Sequence, residues 1–209
     1  MKILYITPEF SGSKDFFLSK GSWKGMPGQK YFFEHMVNYG HKFFVIAETA
    51  EDIKGSWEES HIVVEFFSNR VHNPFIRFTR RFFPTIGFNL YYLSIFLRYF
   101  RSVRKFNPDI IYGCWTFGAG LGRLFSKYIK KPLIVRMFGT GLARYITNWT
   151  NLKKEMGAGS YFIRTLPFKV KSSALIITAD GTFGEKIAMN LGYPKNKIHK
   201  LFNGVDFLY

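Results

Sequence analysis

The stretch NPDIIYGCWTFGAGLG, residues 107–122, sets three patterns end to end. After Asn107 and Pro108, Asp109 to Cys114 is an apolar run, and a glycine-rich segment carrying Trp115, Phe117 and Leu121 follows at once. A run that is apolar on successive residues is what a strand buried on both faces looks like. Such a strand feeding straight into a helix is the repeating step of a parallel sheet with crossover helices.

Working outward, the same step recurs. Lys2 to Thr7, Lys42 to Ala47, Ile62 to Phe67, Leu133 to Met137 and Ala174 to Thr178 read as further strands. Between the first two, Gln29 to Tyr39 reads as a helix stopped at Gly40. From Asn89 to Phe106, the residues Tyr92, Ile95, Phe96, Tyr99, Val103 and Phe106 fall on one helical stripe, with Arg98, Arg101 and Lys105 off it. Near the end, Thr182 and Glu185 have capping-box spacing before a helix that Gly192 and Pro194 close. The polar stretch from Glu48 to Ser60 reads as a surface connection, and Asn148 to Ser173 as helix in pieces. The expected fold is α/β, a Rossmann-like and mostly parallel sheet with helices on both faces, forming one domain over residues 1–209.

Composition narrows the function classes. The 209 residues are 47% hydrophobic and carry a single cysteine, which excludes a disulfide framework and a thiolate metal site. KILYIT meets Pro8 and Glu9 too soon for a secretory signal, and the uncharged run from Phe82 to Leu97 is broken by Pro84, Gly87 and Asn89. The expectation is a cytoplasmic protein with no membrane-spanning segment. Net charge is +16, and residues 66–154 hold 16 basic side chains against one acid, Asp109. There Arg77, Arg80, Arg81 and Arg98 are interleaved with Phe75, Phe78, Phe82, Phe83 and Tyr91. Three readings stay open: an anionic membrane surface, a nucleic acid, or core rings beneath solvated cations.

In an open sheet of this kind ligands bind beyond the carboxyl ends of the strands. That singles out Glu9, Trp115, Phe138, Gly139, Thr140 and Asp180 as binding candidates. The loop with Gly25 and Gly28 leads into a helix N-terminus, whose free amides favour phosphate or carboxylate, or else it is a surface loop that only precedes a helix. Gly118, Gly120 and Gly122 lack the spacing and the downstream acid of a dinucleotide site, and read instead as places where a helix packs closely on the sheet. There is no metal-ligand spacing and no nucleophile elbow; His41 borders a strand, and Cys114 reads as an inert buried thiol.

Taken in order, KILYITPEF, Tyr39-Gly40-His41, residues 107–112 before Trp115, Lys131 to Val135 running to Phe138-Gly139-Thr140, and Asn203-Gly204-Val205-Asp206 resemble one family across nearly the whole chain. It is the N-terminal, acceptor-side domain of the family 4 GT-B glycosyltransferases. The resemblance implies one half of a GT-B fold, belonging to a retaining, hexosyltransferase-like enzyme of polysaccharide or glycolipid synthesis. A C-terminal domain absent from these 209 residues would hold the nucleotide sugar, so no cofactor other than that donor substrate and no metal is implied, and the chain alone is expected to be inactive. Gly25 or Gly28 would match the family's loop at the donor diphosphate. Phe138 stands where many members have histidine, so a histidine bond to the transferred sugar is not carried over. Many relatives act on lipid-linked acceptors, which favours a peripheral position on the inner face of the cell membrane. Arg70, Arg77, Arg80, Arg81, Phe82, Phe83 and Arg98 would be the contacts. The alternative is a non-catalytic basic α/β module that binds nucleic acid.

Overall fold

A computed structural model of the chain describes residues 1–8, 27–49, 55–59, 61–68, 74–140, 142–143, 152–179 and 181–202. Its centre is an eight-stranded sheet. The strands are β1 (Lys2–Thr7), β2 (Lys42–Thr49), β3 (Gly55–Glu59), β4 (Ile62–Ser68), β5 (Ile110–Cys114), β6 (Leu133–Met137), β7 (Ala174–Ala179) and β8 (Ile198–Phe202). The helices are α1 (Pro27–Asn38), α2 (Pro74–Phe82), α3 (Pro84–Phe106), α4 (Trp115–Ile129), α5 (Leu152–Lys169) and α6 (Gly184–Asn190).

The strand order is β3-β4-β2-β1-β5-β6-β7-β8, and every pairing except β3 with β4 is parallel. The chain builds outward from β1 through β2 to β4, then returns and builds the other way from β5. The reversal falls between β1 and β5, whose residues Ile3 to Ile6 pair with Ile110 to Gly113. Asp109 fixes that register: its carboxylate accepts from the Lys2 backbone N–H at 2.8 Å, and its own N–H donates to the Lys2 carbonyl at 2.7 Å.

Alternation along the strands sorts the interior into two cores. On one face Leu4, Ile6, Phe44, Ile46, Ile111, Val135 and Ile177 meet α3, α4, α5 and α6. On the other, Tyr5, Phe43, Val45, Val64 and Tyr112 meet α1 through Phe32 and Phe33. The stripe expected on α3 is buried from Tyr92 through Val103, while Arg98, Arg101 and Lys105 are exposed. The glycines of α4 do pack the helix onto the sheet, since a Cβ on Gly118 would sit 2.6 Å from the Ile6 carbonyl oxygen. Gly40 and Gly192 close their helices with positive φ of 74° and 82°, as expected.

Several expectations are corrected. The polar connection after β2 contains β3, an antiparallel edge strand whose Trp57 packs onto the second core while its polar residues face outward. A short, charged edge strand has no apolar alternation to announce it. The basic aromatic stretch after β4, given no element in the sequence reading, contains α2, and α3 begins at Pro84 rather than Asn89, with proline in the first turn where its missing N–H costs nothing. β8, sequence IHKLF, is a second edge strand, with His199 and Lys200 between its apolar residues. Thr182 does not cap α6. Phe183 holds the N-cap position at φ 53°, and the Thr182 hydroxyl instead accepts from the Thr140 N–H at 3.1 Å. β6 is not buried on both faces: Leu133, Val135 and Met137 are buried, whereas Ile134 and Arg136 are partly exposed. α5 is in pieces, as read, with Gly157 at φ 70° and Pro167 inside it. No helix among the described residues is long and apolar enough to cross a membrane.

Candidate functional site

Where strand order reverses, the flanking crossovers diverge and leave a crevice at the carboxyl ends of the strands. Here it is a hollow of about 410 Å³ formed by Pro8 after β1, Glu48 near the end of β2, Arg80 of α2, Tyr91 and Tyr92 of α3, and Trp115 and Thr116 opening α4. A second hollow, about 300 Å³, adjoins it across Trp115 and Thr116 and is lined by Met137, Gly139, Thr140 and Arg164. Together the two hollows form a groove along the carboxyl ends of β2, β1, β5 and β6, divided at Trp115.

Trp115 is the wall between the two. It starts α4 with φ 53°, a left-handed conformation uncommon for a bulky residue and usually held only where its surroundings fix it. Its ring lies 4.9 Å from that of Phe138, and the Arg136 guanidinium covers Phe138 at 4.3 Å. Thr116 donates to the Ile163 carbonyl at 2.9 Å, which holds α5 against the groove. The loop after β6 is fixed by the Thr140–Thr182 bond and by Leu142 N–H donating to the Thr140 hydroxyl at 3.2 Å.

The polar centre is Glu48. The Tyr91 hydroxyl donates to its Oε1, and the guanidinium of Arg80 lies 4.9 Å from the Tyr91 ring and 4.5 Å from that of Phe88. Burial raises the Glu48 carboxyl above its ordinary value, against the lowering effects of the Tyr91 bond and the Arg80 charge. Burial likewise raises the Tyr91 and Tyr92 phenols, with the Glu48 charge adding to it, so both stay protonated donors. A carboxyl whose folded value is raised binds its proton more tightly folded than unfolded. Its ionisation therefore costs stability, and the cost develops as pH rises from about 4.5 through the folded value. Glu48→Gln is expected to remove that slope: in urea titrations the variant should gain on the parent as pH rises from 4 to 8, and a pH-independent difference would contradict the assignment.

The sequence candidates divide. Trp115, Gly139 and Thr140 line the groove, and the Phe138 ring packs at a tilt against Trp115. Gly28 is in the first turn of α1, whose N-terminus is tied to the end of β1 by Gln29 donating to the Tyr5 and Thr7 hydroxyls at 3.2 and 3.5 Å. Glu9, Gly25, Arg70 and Asp180, and the side chain of Arg77, lie outside the described residues. Arg81, Phe82 and Phe83 are exposed together at the end of α2. Arg80 turns inward to the groove. Arg98 lies about 21 Å along α3 from its start, over Tyr99 and near Glu65. Glu48 and Arg80 were missed as groove residues. Glu48 was within reach, because it directly follows the apolar run that ends at Ala47. Arg80 gave no signal, since its inward turn depends on the unforeseen helix α2.

Cys114 is fully buried, donates to the Tyr5 hydroxyl at 3.1 Å, and has its thiol pushed up to about 12 by burial. It is expected to resist a water-soluble disulfide reagent in the native protein and to react once denatured. Labelling of the folded chain would contradict this. Among the described residues no group of three His, Cys, Asp or Glu is placed to hold a metal.

No family model and no curated protein sequence matches the chain. Solved structures do. It is similar to the lipopolysaccharide outer core galactosyltransferase WaaB, at 13% identity and TM-score 0.53, over 98% of this chain and 46% of that one. The sucrose-phosphate synthase of Thermosynechococcus elongatus matches at 8% identity and TM-score 0.52, over 97% and 47%. HepE of Anabaena, in complex with UDP, matches at 15% identity and TM-score 0.50, over 99% and 45%. The chain thus spans about half the length of these proteins and has the α/β fold of one half of a GT-B glycosyltransferase.

Proposed function

We propose that the chain is the acceptor-holding lobe of a retaining, hexosyltransferase-like glycosyltransferase that moves a sugar from a nucleotide sugar to a polysaccharide or glycolipid acceptor. A second lobe outside these residues would hold the donor. The observation that carries the reading is the groove at the strand reversal, on a fold that matches about half the length of WaaB and of sucrose-phosphate synthase. Its surfaces suit a saccharide: the ring of Trp115 to pack against a sugar face, the Glu48 carboxylate to accept a hydroxyl, and the Arg80 guanidinium to donate to one. WaaB, by its description, acts on lipopolysaccharide outer core, an acceptor of the same chemical class.

In the transfer an acceptor hydroxyl oxygen bonds to the anomeric carbon, the bond from that carbon to the diphosphate breaks with its electron pair, and the hydroxyl proton leaves with the diphosphate. The work of this lobe is to orient the acceptor, and the amides at the start of α1 would face the departing negative charge. Oligosaccharides titrated calorimetrically into the chain are expected to bind, and Trp115→Ala or Glu48→Gln to weaken them at least tenfold. Unchanged affinity in both variants would move the acceptor elsewhere.

The proposal includes a peripheral membrane position. Phe75, Phe78 and Phe82 occupy one face of α2, more than half exposed, and Phe83 and Ile86 continue the patch beside Arg81. Exposed rings flanked by arginine suit the headgroup level of an anionic bilayer. Ile86, an aliphatic residue in the same patch, favours lipid over stacking on nucleic acid bases. Vesicle flotation is expected to recover the chain with anionic lipid, and equal recovery on neutral vesicles would remove the electrostatic part.

A further inference from the structure

At the opposite edge of the sheet, before the N-terminal ends of β7 and β8, lies a cavity of about 490 Å³ that the sugar-transfer reading does not use. Its apolar walls come from Phe168, Val170, Leu191 and Pro194, and its polar floor is the pair Ser172 and Tyr193. Both members of that pair are 6% exposed, and their hydroxyl oxygens are 2.6 Å apart. Two hydroxyls carry two protons, and one proton is used between them. The second has no acceptor among the described residues, whichever of the two donates to the other. Lys171 and Lys197 stand exposed at the rim, Lys169 beside them donates to the Tyr161 hydroxyl at 3.0 Å, and no acid is among the described residues that line the cavity.

We infer that this cavity is a second ligand site, for an amphipathic anion whose apolar part lies against Phe168, Val170 and Leu191 and whose phosphate-like head meets Lys171, Lys197 and the spare hydroxyl proton. The volume falls in the range of small-ligand sites, and the composition is that of one: mostly apolar walls with a few placed polar groups. An acceptor-only head satisfies the buried donor without bringing a donor that would lack a partner. The rim charge selects an anion over a neutral group of the same shape.

The test is titration of octyl phosphate, below its micelle concentration, into the isotopically labelled chain. Saturable amide shifts are expected at residues 168–172 and 191–197, with affinity at least tenfold above that of octyl glucoside or inorganic phosphate. Lys171→Glu with Lys197→Glu, both exposed and so without effect on folding, should lower affinity at least tenfold. Ser172→Ala or Tyr193→Phe alone leaves one hydroxyl able to donate and should cost threefold at most; the two together should cost tenfold. Equal binding of octyl glucoside, shifts centred instead on the exposed rings of α2, or unchanged affinity in the lysine pair would overturn the proposal.

Discussion

Gly118→Val is expected to lower the thermal midpoint by roughly 6–12 °C, the equivalent of about 3 kcal/mol for a domain of this size. A Cβ at Gly118 would lie 2.5 Å from the Gly113 carbonyl carbon and 2.6 Å from the Ile6 carbonyl oxygen, so the conflict is with backbone on two central strands and no rotamer relieves it. The neighbouring glycines grade the effect. At Gly120 the obstacle is the Tyr92 ring at 2.5 Å, and at Gly122 it is the Leu133 Cδ1 methyl at 2.8 Å, the end of a side chain able to turn aside. Thermal melts of the three alanine variants should therefore rank Gly118 most damaging and Gly122 least. A flat ranking would mean that α4 does not press its first turn onto β1 and β5, and the groove wall at Trp115 would lose its support.

Phe78→Glu combined with Phe82→Glu is expected to reduce binding to anionic vesicles at least a hundredfold. Withdrawing a ring from the interface forfeits up to about 1.5–3 kcal/mol, and each added negative charge near anionic lipid costs about 1 kcal/mol more. The two rings lie 4.6 Å apart, 55% and 57% exposed, on a helix that packs chiefly on α3, so folding should be nearly unaffected. The same helix carries Arg80 on its other side. Saccharide binding by the double variant should consequently survive, which separates loss of the proposed membrane contact from loss of the groove. Undiminished flotation would remove α2 from the membrane account altogether.

The sheet was legible because its central strands are apolar on successive residues and its crossovers start and stop with glycine and proline. Gly40 and Gly192 mark their helix ends in sequence as they do in space. The edges were not legible. β3 is short and polar, β8 is short with His199 and Lys200 breaking its apolar run, and the pairing of each is decided by the neighbour it lies against. Thr182 shows a local rule overridden by tertiary structure: capping-box spacing is present, but the hydroxyl is needed by the Thr140 amide forty-two residues away. In the groove, residues placed by strand ends could be read from the sequence, Trp115 and Thr140 among them. Arg80 could not, because whether an arginine in a basic aromatic run faces lipid or a pocket depends on helix phase, and on Gly87, where a Cβ would lie 2.2 Å from the Arg80 backbone nitrogen.

The most direct measurement compares amide shifts of the 209-residue chain on titration with an oligosaccharide acceptor and with a nucleotide sugar. An acceptor-holding lobe predicts saturable oligosaccharide shifts at Glu48, Arg80, Tyr91, Trp115 and Thr116, and only weak nucleotide-sugar shifts near the start of α1. Tight nucleotide-sugar binding with the groove untouched by any saccharide would contradict it.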